Sequence, residues 1–136
     1  MPQSLNYIAH KENNNIFYVK IITNSTLQNP KFSIEEKELS WVSKTIEPSL
    51  VKVEVTIPLI LLDGKYSIII DNREVNFIEN RNQTHATLTF QYSSNTSDQR
   101  IRIMGTTVIP EFPNVLFILI FTFSLLYLSQ RFLKFC

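Results

Sequence analysis

The sequence predicts an all-β fold, an antiparallel β-sandwich, followed by a single transmembrane helix at the carboxy terminus. Short runs of β-branched and aromatic residues alternate with polar residues, and turn-forming residues interrupt them every eight to twelve positions. No amphipathic pattern long enough for a helix precedes the apolar carboxy-terminal run. We place the sandwich at residues 16–106, which is the size of one ordinary domain.

The first fifteen residues are mostly polar and end in three consecutive asparagines, Asn13 to Asn15. Residues 1–15 are therefore predicted to be a flexible segment. They contain no apolar core of the kind that a signal peptide requires. The first strand is predicted at Ile16 to Ile22, with Phe17, Val19 and Ile21 on its inner face.

The clearest strand signal is Leu50 to Ile57, where apolar and polar residues alternate without a break. Such alternation is typical of an antiparallel strand with one buried and one solvent-exposed face. The inward residues would be Val51, Val53, Val55 and Ile57, and the outward ones Lys52, Glu54 and Thr56. Pro58 would end this strand, because proline cannot donate a ladder hydrogen bond. Shorter strands are predicted at Lys31 to Ile34 and at Leu39 to Ser43.

A hairpin is predicted next. Tyr66 to Ile70 would form its first strand and Arg73 to Phe77 its second, joined by Asp71-Asn72, two residues that tolerate positive φ. Before it, Leu59 to Leu62 would make one helical turn, and Asp63-Gly64 is a strong turn signal.

The last strands are predicted at Thr84 to Tyr92 and at Arg100 to Met104. Polar loops at Glu79 to Gln83 and Ser93 to Asp98 would precede them. Seven or eight short strands at this spacing indicate an immunoglobulin-like sandwich. Its core would hold five aromatic residues, which core packing explains better than a carbohydrate-stacking platform: Phe17, Trp41, Tyr66, Phe90 and Tyr92.

The run from Phe112 to Gln130 carries no charge over nineteen residues. As a helix it would be about 28 Å long, close to the ~30 Å hydrocarbon core of a bilayer. We predict a transmembrane helix at 114–130, with a buried core helix or a pair of core strands as the alternative. Arg131 and Lys134 follow the run and Glu111 precedes it, so the basic tail 131–136 is expected in the cytoplasm and the sandwich outside the cell.

Several strings together resemble a carboxy-terminal module of archaeal cell-surface proteins. They are Val55 to Pro58, Leu61 to Tyr66, Asn82 to His85, Phe90 to Tyr92 and Ile103 to Pro113. In that family a β-sandwich leads into a tail with a Pro-Glu-Phe sorting motif, a transmembrane helix and a short basic end. The resemblance implies that Pro110, Glu111, Phe112 and Pro113, within a linker at 107–113, are recognised by an archaeosortase, a membrane transpeptidase. The family's usual signal peptide and larger extracellular region have no counterpart here, so a shortened reading frame, a split gene product and a tail-anchored protein are all expected alternatives.

Three sequons predict N-glycosylation at Asn24, Asn82 and Asn95. The latter two fall in predicted loops, where a glycan would be tolerated. Because the chain is rich in Asn, Ser and Thr, the alternative is that these are ordinary polar residues.

Little in the sequence points to catalysis, and we expect no enzyme, cofactor or metal site. His10 and His85 stand far apart without metal-ligand spacing, and the two glycines, Gly64 and Gly105, form no phosphate loop. The single cysteine, Cys136, excludes an internal disulfide. A net charge of +1 argues against a nucleic-acid partner.

Two functions from different classes follow from these observations. One is an extracellular anchor module whose partners are the lipid bilayer and an archaeosortase-type enzyme. The other is a surface binding module that recognises a glycan or a protein through the loops Asn80 to Thr84 and Ser93 to Asp98; its ligand is unknown.

Overall fold

A computed structural model describes residues 3–95, 98–108 and 114–133, with the side chains of the carboxy-terminal helix described from 121 to 130. The chain is mostly β-structure, in antiparallel sheets, which confirms the predicted all-β class. In chain order the elements are β1 Ser4–Glu12, β2 Asn15–Thr23, β3 Thr26–Ser33, β4 Glu38–Lys44, β5 Ser49–Pro58, β6 Leu62–Asp63, β7 Ser67–Ile70, β8 Arg73–Val75, β9 Ile78–Arg81, β10 His85–Ser94, β11 Gln99–Met104, β12 Thr107–Val108 and α1 Asn114–Leu133.

Two five-stranded sheets form the body of the domain. The first has the order β1-β2-β5-β10-β9 and the second the order β3-β4-β11-β7-β8, while β6 and β12 pair separately. Buried side chains from both large sheets form one hydrophobic cluster. The architecture is therefore a two-layer β-sandwich, because each sheet buries one face against the other.

The central pair of the first sheet follows the predicted alternation. β5 and β10 are antiparallel, with Leu88 opposite Val55 and Phe90 opposite Val53. These four side chains are buried, whereas Lys52 is exposed and Glu54 and Thr56 are partly exposed. The inward and outward faces assigned to this strand from the sequence are confirmed.

The predicted aromatic core is also confirmed. Trp41, Tyr66, Phe90 and Tyr92 are buried, and Phe17 packs against the cluster while partly exposed. The four buried rings are therefore not available as a carbohydrate-stacking surface.

The prediction of a flexible segment at residues 1–15 is wrong for residues 4–15, and residues 1–2 lie outside the described residues. Residues 4–12 form β1, which pairs along its whole length with β2. Asn13 and Asn14 have φ angles of 49° and 66°, so they make the tight turn that joins the two strands. Ile8 is the one side chain of β1 in the core, and for that reason the strand carries almost no apolar alternation.

The prediction of a polar loop at Glu79 to Gln83 is wrong in its first half. Val75 ends β8, and the chain then crosses through Asn76 and Phe77 to the other sheet, where Ile78–Arg81 forms the edge strand β9. All four residues of β9 are exposed, so its backbone pairing with β10 leaves no periodic signal in the sequence.

Other boundaries differ for similar local reasons. β3 begins at Thr26, five residues before its predicted start, and its register shifts between Gln28 and Lys31. Asn29 has a φ of 50° at that bulge, and the bulge interrupts the alternation by which a strand is recognised in the sequence.

The described residues contain twelve strands rather than seven or eight. The predicted linker at 107–113 begins instead with strand β12, and the rest of it, 109–113, lies outside the described residues.

The carboxy-terminal helix α1 covers the predicted helical range 114–130 and continues to Leu133, so Arg131 belongs to the helix rather than to a separate tail. All ten side chains from 121 to 130 are exposed. Among the residues described together with their side chains, we find no helix long and apolar enough to cross a membrane. The transmembrane crossing stays a prediction.

Candidate functional site: the clasp at the base of the sandwich

The chain leaves the sandwich through a small paired structure at the end of β5. β5 ends at Pro58, a turn over 59–61 follows, and β6 then pairs with β12, with Thr107 opposite Asp63 and Val108 opposite Leu62. We call β6, β12 and the two turns Gly64-Lys65 and Gly105-Thr106 the clasp. The clasp ties the exit of the chain to a loop more than forty residues earlier in the sequence.

Both glycines of the chain lie in the clasp, and each packs against the segment that contains the other. A Cβ atom on Gly105 would lie 2.7 Å from the carbonyl oxygen of Asp63. Gly64 has a φ of +94°, and a Cβ there would lie 1.7 Å from Oγ1 of Thr106. Neither position has room for a side chain, and Gly64 also adopts a backbone conformation that other residues rarely tolerate.

Hydrogen bonds between the two turns close the clasp. The amide of Thr106 donates to the carbonyl of Asp63 at 2.9 Å, and the amide of Lys65 donates to Oγ1 of Thr106 at 3.2 Å. The amide of Gly105 donates to the carbonyl of Lys37 at 3.0 Å, which links the clasp to the turn before β4. The exit segment is thus bonded to the Asp63–Lys65 segment and to the turn that precedes β4.

Arg81, at the end of β9, contacts the clasp through its side chain. Its Nη1 lies 2.5 Å from Oδ1 of Asp63, and its Nη2 donates to the carbonyl of Gly64 at 3.0 Å. Its guanidinium carbon also lies 5.5 Å from the centre of the Tyr66 ring. One side chain therefore contacts both residues of the Asp63-Gly64 turn and the aromatic ring that follows it.

Tyr66 anchors the same turn from the core. Its hydroxyl donates to the carbonyl of Leu62 at 2.7 Å. Burial, with a further contribution from the charge of Asp63, raises the pKa of Tyr66 to about 12. The phenol stays protonated and keeps its donor role at any physiological pH.

Two of the strings on which the predicted resemblance is based meet in the clasp. Leu61 to Tyr66 and Gly105 to Val108 are distant in sequence, and the clasp brings them together. Pro110, Glu111, Phe112 and Pro113 lie outside the described residues, as does Lys134. The sorting motif itself therefore stays a prediction.

Two of the three predicted glycan acceptors differ sharply in their surroundings. Asn82 is exposed at the base of the sandwich, where its Oδ1 accepts hydrogen bonds from the amides of Thr84 and His85 at 2.9 and 2.7 Å. Glycans attach to Nδ2, which these bonds leave unused. In contrast, Nδ2 of Asn24 donates to the carbonyl of Leu50 at 3.0 Å.

Oδ1 of Asn24 also accepts from the amide of Lys52 at 3.0 Å, so this side chain pairs with the backbone of β5 through both of its polar atoms. A glycan on Asn24 would break that pairing. Asn95 is exposed at the opposite end of β10 from Asn82, and the other two residues of its sequon, 96–97, lie outside the described residues.

The two loops suggested as a ligand-binding surface are far apart. β10 runs from His85 to Ser94 between them, and ten residues of strand span roughly 33 Å. Asn80 and Arg81 of the first loop belong to β9. A single compact ligand cannot contact both loops.

Glu38, the first residue of β4, is a buried titratable group. Glu38 is 3 % exposed and forms an ion pair with Arg102 on the neighbouring strand β11. Burial alone would raise the pKa of Glu38, but the hydrogen bond and the charge of Arg102 outweigh it and lower the pKa.

The sequence pattern also did not predict a buried network of hydroxyl groups at the end of the sandwich opposite the clasp. Tyr92 on β10 donates to Oγ of Ser43 on β4 at 2.5 Å, and Ser43 donates to Oγ of Ser25 at 2.8 Å. Ser25 lies 3.1 Å from Oγ1 of Thr23. The network joins the two sheets, and its only sequence signal is the presence of Ser and Thr at inward positions.

The histidines and acidic residues do not converge on a metal site in the described part of the chain. His10 lies 3.3 Å from Glu12 and packs against the ring of Phe32, and His85 contacts the hydroxyl of Thr84 at 2.8 Å. No protein-family model, curated protein or solved structure matches the chain.

Proposed function

We propose that this chain is a non-enzymatic anchor module, in which an extracellular β-sandwich is tethered to a membrane by the carboxy-terminal helix. The observation that carries this proposal is the surface of α1. Its large apolar side chains between 121 and 130 are 55–69 % exposed: Phe121, Phe123, Leu125, Leu126, Tyr127 and Leu128. A helix with such a surface requires an apolar environment outside the sandwich.

The length of the apolar segment supports a bilayer as that environment. α1 has twenty residues, which corresponds to about 30 Å of helix. The hydrocarbon core of a bilayer has a similar thickness. Thr122 and Ser124 are the polar residues in the middle of the run, and short hydroxyl side chains are compatible with a membrane helix.

Charges at the ends of the run support an extracellular sandwich. Arg131 and Lys134 follow the apolar run and Glu111 precedes it, which is the asymmetry expected when the carboxy end faces the cytoplasm. The exposed acceptors Asn82 and Asn95 are compatible with that side of the membrane.

The proposal extends to processing of the tail. Pro110 and Pro113 flank Glu111-Phe112, and each proline favours an extended conformation of the residue before it. An extended segment beside a membrane is what a transpeptidase of the archaeosortase type needs as a substrate. The clasp would hold the sandwich at a fixed distance from that cleavage point.

Alkaline carbonate extraction of membranes tests the anchor. The full chain should stay in the membrane pellet and dissolve only in detergent. A matched chain ending at Val108 keeps the whole clasp and should be soluble and folded. Recovery of the full chain as a soluble monomer would refute the anchor.

A surface binding module is the second candidate function. Because the two loops are far apart, one ligand would bind to only one of them. Replacing 82–84 or 95–98 with Gly-Ser residues would then abolish ligand binding in one variant only, while an anchor would tolerate both replacements.

A further inference from the structure

The outer face of the β1–β2 hairpin carries large apolar side chains that the sandwich does not cover. Leu5, Tyr7, Ile16 and Tyr18 are 53–59 % exposed. The rings of Tyr7 and Tyr18 make an edge contact, with centroids 6.4 Å apart. Ala9 lies opposite Tyr18, so these five residues form one continuous surface, which we call the tyrosine face. Contiguous exposed apolar surface of this kind marks an interaction site.

Positive charge surrounds the tyrosine face. The strand register places Lys11 opposite Ile16 and Lys20 opposite Tyr7 on the same side of the hairpin. The adjacent strand β5 adds Lys52 and one carboxylate, Glu54, to this side of the sheet. Two copies of the chain that met through this face would bring their lysines together, whereas an anionic surface would attract them.

The hairpin extends past the end of the neighbouring strand β5. Lys20 pairs with Thr56 of β5, and this register brings Tyr18 level with Pro58, where β5 ends. The remaining residues of β2 and the Asn13-Asn14 turn therefore project roughly 10 Å past the end of β5. The clasp, from which the chain leaves the sandwich, lies at this same end.

The exit of the chain limits how far the base can be from α1. β12 ends at Val108 and α1 begins at Asn114. The six Cα-to-Cα steps between them cover at most about 22 Å. If α1 lies in a bilayer, as the proposed function states, the projecting hairpin is within reach of the lipid headgroups.

We infer that the tyrosine face of the β1–β2 hairpin rests on the headgroup layer of the membrane and sets the orientation of the sandwich there. Tyrosine is favoured at this depth because its ring is apolar and its hydroxyl is polar. Lys11 and Lys20 add attraction to anionic lipids. This inference depends on the proposed membrane anchor.

The test uses the full chain in nanodiscs of phosphatidylcholine and phosphatidylglycerol, with one chain in each disc so that a second copy is excluded. Cys136→Ser removes the native thiol, and Ala9→Cys carries a small fluorophore in the centre of the tyrosine face. Lipids with a nitroxide at the headgroup should quench this probe severalfold more than a probe at Ile46→Cys. Ile46 is the matched control, because it is 90 % exposed in the loop at the opposite end of the sandwich.

A second variant tests whether the two tyrosines, rather than the fluorophore itself, cause the contact with the lipid headgroups. Tyr7→Ser together with Tyr18→Ser removes exposed rings and should reduce the quenching at position 9 to the level at position 46. Equal quenching at positions 9 and 46 in the starting chain, or quenching unchanged by the double substitution, would overturn the inference while leaving the anchor intact. A chain that does not enter the discs would overturn both the anchor and the inference.

Discussion

At the scale of single residues, the stability of the sandwich depends on positions where a change of one atom or one charge would disturb the packing. Gly105 packs against the carbonyl of Asp63, and the turn before β7 packs against Thr106. Glu38 is buried, but its charge is compensated by Arg102. Each of these positions makes a separate prediction about stability.

Gly105→Ala should destabilise the domain by about 1–3 kcal/mol, because the new Cβ would lie 2.7 Å from a backbone oxygen that cannot move without opening the clasp. Lys65→Ala, in the adjacent turn and exposed, is the matched control and should change stability by less than about 0.5 kcal/mol. Urea unfolding of the chain ending at Val108 measures both. Equal midpoints for the two variants would show that the close packing of Gly105 is not required.

Glu38→Gln should destabilise the domain at pH 7 by about 1–2 kcal/mol, since it removes the charge that pairs with the partly exposed Arg102. The folded-state pKa of Glu38 is lowered, so its contribution is present above the unfolded-state pKa and is lost as the pH falls through the folded-state value. The difference between the two proteins should therefore shrink below about pH 4. A difference that stays constant from pH 7 to pH 3 would contradict this role of the ion pair.

At the scale of elements, the central strands of the first sheet follow their own sequence pattern and its two edge strands do not. β5 and β10 are bonded on both sides and bury one face, so alternating side chains identify them. β1 and β9 lie at the two edges of the same sheet, and their backbone bonds carry the pairing. Backbone bonding is independent of side-chain type, which is why both edge strands were predicted as irregular segments.

Val53→Asp tests the register of β5. Val53 is 2 % exposed, and an unpaired carboxylate in its place costs several kcal/mol, comparable with the ~5–15 kcal/mol total stability of a domain. The variant should be unfolded in circular dichroism and urea titration. Lys52→Asp, on the exposed face of the same strand, should shift stability by less than about 0.5 kcal/mol. Similar losses from both substitutions would place the strand in a different register.

At the scale of the whole molecule, the clasp and the hairpin tip give the sandwich a distinct base. The chain leaves through β12 at this end, and the tip of the β1–β2 hairpin passes the end of β5 there. The opposite end holds the buried hydroxyl network of Tyr92, Ser43 and Ser25. The two ends of the sandwich therefore differ in structure.

Processing of the tail is a prediction about the complete chain. In a host with an archaeosortase, mass spectrometry should find mature protein ending between Pro110 and Pro113, without Cys136. Glu111→Ala with Phe112→Ala should restore the intact tail, because the recognised carboxylate and ring are lost. Mature wild-type protein that still ends in Arg131 to Cys136 would leave only a permanent anchor.

The sequence by itself determined the all-β class, the inward residues of the central strands, the aromatic core and the helical range near the carboxy terminus. Each of these has a local periodic cause: alternation with a period of two in a half-buried strand, or a continuous apolar run in a helix. The Asp71-Asn72 turn was predicted from another local property, the tolerance of these two residues for positive φ, and their φ angles of 47° and 68° confirm it.

Only the tertiary structure decided that residues 4–12 form a strand, that the chain crosses between sheets at Asn76-Phe77, and that the clasp joins Asp63-Gly64 to Gly105-Thr106. It also decided that Nδ2 of Asn24 is bonded to β5 and that Glu38 is buried beside Arg102. These features depend on contacts between residues that are distant in sequence. The pattern of residues along the chain does not show which distant segment will contact a given residue. That contact determines whether a polar residue or a glycine is exposed, hydrogen-bonded or closely packed.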